Sequence, residues 1–312
     1  MTTQQTNRKR RETLNAYLFV LPWILSLLVF TAYPVLASFY FSMTRYTVLN
    51  PPSFIGAENF NVMFNSDPLY WRAVWNTAYF SFFSVPLGLM VALGLALLLN
   101  TRSKGIGIYR TIYYLPGLMP TVATALIWYI LLDPRWGLVN SVLGTFGIAP
   151  LGWLRSSNWS MPALILISIW SSVGVPMLIF LAGLKEVPTS LLEAATIDGA
   201  NAVQRLFRVV LPLITPTIFF NLIIGIINSF QVFTLAFVAA AAGTDGGVGS
   251  TVGPLNSLLV YVIHIYRYGF RYYEMGYASA MALVMFLVLV LVTLVLVRTS
   301  GNWVYYEGNV RR

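Results

Sequence analysis

Glu193-Ala194-Ala195, three residues, Gly199, nine residues and then Val209-Val210-Leu211-Pro212 form a polar, patterned stretch between two apolar runs. The chemistry open to these residues is docking rather than bond-making. Glu193 offers a fixed charge to a basic or backbone-donor partner. Ala194 and Ala195 let another surface approach closely. Gly199 suits the left-handed residue that follows a helix. Leu191–Asp198 reads as a short helix closed by that glycine, and Asp198 falls at its end. A second short helix is expected from about Asn201, with Val203, Leu206, Phe207 and Val210 on one face. A plainer reading also fits. Ser190 with Glu193 has the spacing of a capping box and Gly199 that of a C-cap, so a stable helical hairpin would explain the pattern by itself.

A second constellation is polar and uncharged. In the run 211–238, Asn221, Asn228 and Gln231 are spaced by seven and three residues, with Gly225 between the first two. At about 100° per residue they share one helix face. In the run 161–184, Ser168, Ser171 and Ser172 share a face, followed by Gly174. Amides and hydroxyls at mid-membrane depth suit a pathway for a polyol, and they equally suit hydrogen bonding between helices.

Absences limit the rest. A phosphate-binding loop needs glycine immediately before lysine, and Lys9, Lys104 and Lys185 follow Arg8, Ser103 and Leu184. This chain therefore does not hydrolyse nucleotide by that route. None of the ten acidic residues falls inside an apolar run, with Asp133 just beyond the end of one. Intramembrane carboxylates mark proton relays, so ion coupling through acids is disfavoured. The single histidine, His264, reads as a surface or packing residue. With no cysteine, neither a metal cluster nor a nucleophile constellation is visible, and no catalytic or metal-binding residue is assigned. The chain forms a path and carries no engine.

The elements that must position these residues are membrane helices. Hydrophobic residues make up 58% of the 312 and charged residues 9%, against about 25% charged in soluble domains. Six runs reach the roughly 20 residues a bilayer requires: 16–41, 74–99, 109–132, 161–184, 211–238 and 276–297. In lipid such runs must be helices. The expected fold is therefore an all-α integral membrane protein with six transmembrane helices. Residues 1–15 form an N-terminal tail, 42–73 an outer loop, 185–210 the docking loop and 298–312 a C-terminal tail.

Lysine and arginine set the orientation. The N-terminus, second and fourth loops and C-terminus together hold thirteen of the 19 basic residues, and the other side holds six, namely Arg45, Arg72, Arg135, Arg155, Arg267 and Arg271. Both termini are thus predicted to be cytoplasmic. The net charge of +9 is mostly this asymmetry and does not point to nucleic acid. The first run is about twice as long as a signal-peptide core and is expected to be retained. The outer loop 42–73, with Asn50-Pro51-Pro52 and Gly56, reads as irregular structure with short helices. Trp136, Trp153 and Trp159 read as membrane-surface residues, and Tyr261, Tyr266, Tyr268, Tyr272 and Tyr273 as an interfacial belt. Prolines at 22, 34, 86, 116, 120, 176, 212 and 216 can kink their helices.

The docking stretch resembles the cytoplasmic loop of ATP-binding-cassette importer permeases, whose pattern is EAA, three residues, G, nine residues, I, one residue, LP. Glu193, Ala194, Ala195, Gly199, Leu211 and Pro212 match, and Val209 replaces the isoleucine. Phe54–Phe60, Asn76-Thr77, Arg110-Thr111, Leu115-Pro116, Leu181–Leu184 and Gly276–Ala280 resemble other segments of sugar permeases in that family. One segment departs: Gly246-Gly247 is followed by five residues before Gly253-Pro254, where the family often has Gly-Gly-Pro. The resemblance implies a type I importer transmembrane domain of the MetI-like fold over residues 74–297, in the cytoplasmic membrane, of the maltose-type, larger-permease-like branch. It implies a second homologous permease, two ATPase subunits that hold ATP and magnesium, and an extracytoplasmic sugar-binding protein. It makes 191–198 a coupling helix, with Glu193, Ala194, Ala195, Asp198 and Gly199 touching the ATPase, and places Asn228 near the substrate. An importer of another solute such as glycerol phosphate, or an ion-coupled carrier, is the alternative.

Overall fold

The computed structural model describes residues 3–101, 103–242 and 252–305. Three helices can each cross a bilayer alone: Asn15–Ser42, Tyr70–Leu99 and Met275–Trp303. Three further crossings are broken pairs. Ile106–Leu118 and Thr121–Leu131 meet at 99°, Ser160–Ser172 and Gly174–Glu186 at 51°, and Ala202–Leu213 and Thr215–Phe230 at 68°. Taking each pair as one span gives six.

The runs 109–132, 161–184 and 211–238 are therefore not single helices, and proline explains much of this. In the third span Leu115–Leu118 tightens to a 3-10 turn, then Met119 and Pro120 turn extended with ψ of 140° and 129°. Pro116 and Pro120 lack amide donors, and Pro120 pushes Met119 out of the helical region. The fifth-span bend at Ile214 lies between Pro212 and Pro216. Pro22 and Pro86, by contrast, sit inside continuous helices. The fifth run also stops early. Its helix ends at Phe230, residues 231–233 are non-helical, and Thr234–Ala242 forms a separate helix against Thr121–Leu131.

Contacts divide the chain into two units, 1–67 with 265–287, and 68–264 with 288–312. The first unit adds strands to the all-helical expectation. β1 (Thr44–Thr47) and β2 (Asn50–Phe54) pair antiparallel, with Thr44 opposite Phe54. Pro51 and Pro52 mask this pairing in the sequence, but a hairpin edge tolerates proline. Buried Asn59 donates to the carbonyls of Ser42 and Thr44 at 2.9 Å each. Gly276 lies so close to the Thr44 carbonyl that a Cβ has no room, and Tyr277 donates to Asp67 at 2.7 Å. Burial, and then the carboxylates of Asp67 and Glu274, hold the Tyr268 hydroxyl above its ordinary pKa.

The second unit contains two apolar cores. One gathers Phe80, Ala125, Leu164, Ile167, Ala236 and Leu258, and the other Ala92, Ala96, Met177, Phe180, Leu184 and Ile214. The helix Tyr70–Leu99 contributes to both, so residues 81–91 bridge the gap between them. Trp153 and Tyr261 are packed inside the protein. Trp153 is buried and donates to Asn140 at 2.8 Å, while Tyr261 is buried edge-on to Tyr70. His264 is also buried, which fits packing rather than surface. Asn76 donates to the carbonyls of Asn256 and Leu259, and Thr77 accepts from the Tyr261 amide at 2.8 Å, tying the outer segment to the second span.

The fourth-span bend makes one steric prediction. A Cβ on Gly174 would stand 2.9 Å from Tyr114 Cα and 3.0 Å from Tyr113 O, both backbone atoms that cannot rotate away. Gly174→Val is expected to destabilise the protein by about 1–3 kcal/mol. Gly94→Ala, whose Cβ would meet nothing within 4 Å, should be tolerated. Thermal unfolding of the two variants in detergent measures the difference, and equal midpoints would refute the contact.

Candidate functional site: docking helix and polar cavity

The docking helix runs Thr189–Ile197 and starts at Pro188, which supplies no side-chain cap. Ser190 lies inside the helix, so the Ser190–Glu193 capping box does not form. The box sits in the next helix, where Asn201 accepts from the Gln204 amide at 2.9 Å and Gln204 accepts from the Asn201 amide at 2.8 Å. At the C-terminus Asp198 is the cap, and Gly199 follows with φ +81°. The Ala200 amide reaches Ala195 O and the Gly199 amide reaches Thr196 O, the two bonds of a Schellman motif. Arg205 then donates to the Thr196 hydroxyl at 2.5 Å, fastening the two short helices together.

This construction leaves the docking residues free. Glu193, Ala194 and Asp198 are exposed and Ala195 is half-buried. Glu193 makes no hydrogen bond or ion pair with any described residue. Ile197 is 86% exposed, with Val203 and Phe207 also uncovered. The hairpin thus presents the carboxylates of Glu193 and Asp198 beside uncovered apolar side chains. A Cβ on Gly199 would meet nothing within 4 Å, so its requirement is purely conformational. Gly199→Val should cost about 1–3 kcal/mol in backbone strain and loosen the hairpin. Amide exchange over 189–210 should accelerate, and unchanged exchange would count against the motif.

The polar constellation lies elsewhere in the same unit. A cavity of about 450 Å³ is lined by four spans: Ser84 and Gly88 from the second, Thr121 and Thr124 from the third, Ser168, Ser171 and Ser172 from the fourth, and Asn221, Asn228 and Ser229 from the fifth. It falls between the two apolar cores, where Ser84, Val85, Gly88 and Leu89 of the second span face it. None of the described residues lining it is ionisable. Some of its polar groups are already engaged. Ser171 donates to Ser168 O at 3.1 Å, Asn221 to Thr217 O at 3.1 Å, and the Ser229 and Ser81 hydroxyls meet at 2.9 Å. Asn228 is exposed and has no hydrogen bond to a described residue.

Gln231 departs from the predicted stripe. It caps the helix C-terminus, where the chain leaves helical geometry, and it does not line the cavity. Ser84, Thr121, Thr124 and Ser229 escaped the sequence reading because single hydroxyls in apolar helices ordinarily bond their own backbone. The segment 246–251, where the glycine pattern departs, lies outside the described residues.

Residues 84–303 match the model of a family described as binding-protein-dependent transport system inner membrane component. The chain belongs to this family. It is 42% identical over 300 residues to a probable ABC transporter permease protein, YesP, of Bacillus subtilis, covering 96% of this chain and 94% of that one. It is 32% identical to the arabinooligosaccharides transport system permease protein AraP of the same organism, covering 92% and 88%. Among solved structures, a bacterial alginate ABC transporter in complex with an alginate pentasaccharide-bound periplasmic protein contains a chain that superposes with TM-score 0.80. That chain is 26% identical, with 94% of this chain and 96% of that one aligned. This chain is thus a multi-pass permease subunit of an ABC importer in the inner membrane, and it is not itself an enzyme. The carboxylate-bearing hairpin and the uncharged cavity are two features of one transport subunit.

Proposed function

We propose that this permease carries a neutral carbohydrate through the cavity between the two cores. The carrying observation is the lining itself: hydroxyls and amides from four spans, with no ionisable side chain among the described lining residues. Family membership alone does not choose the solute, since a glycerol-3-phosphate permease matches at 31% identity. A phosphate ester entering an uncharged wall would be desolvated without a counter-charge, which is costly. A polyol exchanges its water hydrogen bonds for those of serine, threonine and asparagine at little net cost. Arabinooligosaccharide and trehalose/maltose permeases among its relatives support the neutral carbohydrate class.

The assembly we propose contains a second homologous permease, two ATPases holding ATP and magnesium, and an extracytoplasmic sugar-binding protein. Glu193, Ala194, Ala195, Asp198 and Gly199 form the face that one ATPase grips. ATPase closure moves the hairpin, and the bend at Ile214 passes that movement into the fifth span, which carries Asn228. The test is uptake by proteoliposomes containing the complete complex. ATP should drive uptake of a neutral disaccharide, and sn-glycerol 3-phosphate should not compete. Competition by the phosphate would overturn the substrate class. Uptake that persists without the ATPases and collapses with the ion gradient would overturn the transport mode.

A further inference from the structure

In the turn Gly253-Pro254-Leu255-Asn256, Gly253, Leu255 and Asn256 hold positive φ values of +69°, +52° and +58°. Glycine and asparagine adopt that region readily, but a leucine there sets its Cβ against the following carbonyl. Four described residues other than glycine have a positive φ, namely Trp153, Leu255, Asn256 and Tyr273, and Leu255 is the most exposed of them at 72%. Its side chain stands mostly in the open, so burial of the leucine does not explain why the turn holds it there.

The strain is held by the base of the turn. Asn256 Oδ1 accepts from the Val252 amide at 2.9 Å, the Leu258 amide reaches Val252 O at 3.2 Å, and the Ser257 amide reaches Pro254 O at 3.0 Å. From the second span, Asn76 donates to Asn256 O at 3.0 Å and to Leu259 O at 2.9 Å. Val252, Leu258, Leu259 and Val260 are all buried in one apolar core. A clamped, buried base thus lifts a single leucine outward. Strained backbone of this kind persists only where its surroundings over-determine it, and it gathers at functional sites.

The turn lies at one end of the polar cavity. Asn76 precedes Phe80 by four residues and Ser84 by eight, and both of those line the cavity wall. At 1.5 Å per residue, the clamp stands roughly 6–12 Å beyond that wall along the second span, on the side predicted to be extracytoplasmic. Acyl chains conform to any apolar side chain and need no fixed one. A side chain held in place beforehand suits a protein surface, because little freedom is left to lose on docking.

We propose that Leu255 is a preset apolar contact for the extracytoplasmic solute-binding protein, covered by it while solute passes into the cavity. The inference rests on the assembly proposed above. It assigns to that partner one contact residue, at the outer end of the path lined by the second span.

The complete complex in nanodiscs, with both faces open to solution, is titrated with its labelled solute-binding protein, and the Kd is read by fluorescence anisotropy. Leu255→Gly should raise the Kd roughly tenfold, the value of one partly covered leucine side chain. Its thermal midpoint should not fall, since glycine suits the positive φ. Leu255→Met keeps an apolar side chain and should bind as wild type does. If Leu255→Gly does not assemble, Leu255→Asn, which also tolerates the left-handed region, takes its place. An unchanged Kd in the glycine variant would overturn the assignment, and so would a methionine variant as weak as glycine. A raised Kd accompanied by a lowered midpoint would make the leucine structural and overturn it too. No binding to the wild-type complex would instead overturn the binding-protein assembly itself.

Discussion

Reversing the charge at Glu193 is expected to abolish energy-coupled uptake while leaving the subunit folded in the membrane. Glu193→Lys changes an exposed side chain with no partner among the described residues, so its effect on intrinsic stability should stay within about 0.5 kcal/mol. At a docked interface the outcome differs. A carboxylate covered by an ATPase is desolvated, and placing an ammonium there replaces an attraction with a repulsion. Truncating one member of such a buried pair costs on the order of 2–5 kcal/mol, which is about 30-fold or more in affinity. Co-purification of the ATPases and ATP-driven uptake should both fall by at least that factor, with membrane yield unchanged. Full uptake in the variant would remove Glu193 from the coupling role and return the hairpin to a purely structural explanation.

The hairpin was legible in the sequence because its signals are local. Gly199 needs a left-handed backbone, and its spacing from the alanines is set by one short helix. Even so, Ser190 and Glu193 have the spacing of a capping box, and the structure builds that box at Asn201 and Gln204. Both pairs have the right spacing, and only the position of Pro188 at the helix start decides between them. The six crossings were legible from hydropathy, since apolar length is nearly all that a span requires. Their breaks were not. Pro86 lies inside a continuous helix, while Pro116 and Pro120 flank a 99° turn. Whether a proline bends a helix depends on what fills the space beside it, and that is a non-local fact.

The cavity was legible only in part, for the same reason. Asn221 and Asn228 share a helix face, but Gln231 falls where the helix has already ended. The second- and third-span hydroxyls carry no periodic signal of their own. They gain meaning when four spans converge on one cavity. Trp153 shows the converse. It reads as a membrane-surface residue, yet Asn140 satisfies its indole and lets it sink into the core.

Asn228→Leu should separate transport from assembly, and Asn221→Leu should not. Asn228 faces the cavity without a hydrogen bond to any described residue, so leucine breaks nothing that holds the chain together. What it removes is an amide able to donate and accept toward a sugar. One or two such bonds are worth about 1–3 kcal/mol, so uptake should fall roughly ten- to a hundredfold with complex yield preserved. Asn221 is buried and donates to Thr217 O within its own helix. Its replacement alters a packed contact and should act mainly on thermal stability, with a smaller change in KM. Side-by-side uptake kinetics and unfolding midpoints distinguish the two residues. If both variants lose stability and keep their kinetics, the amides of the fifth span serve packing, and the solute is held by the partner permease across the same passage.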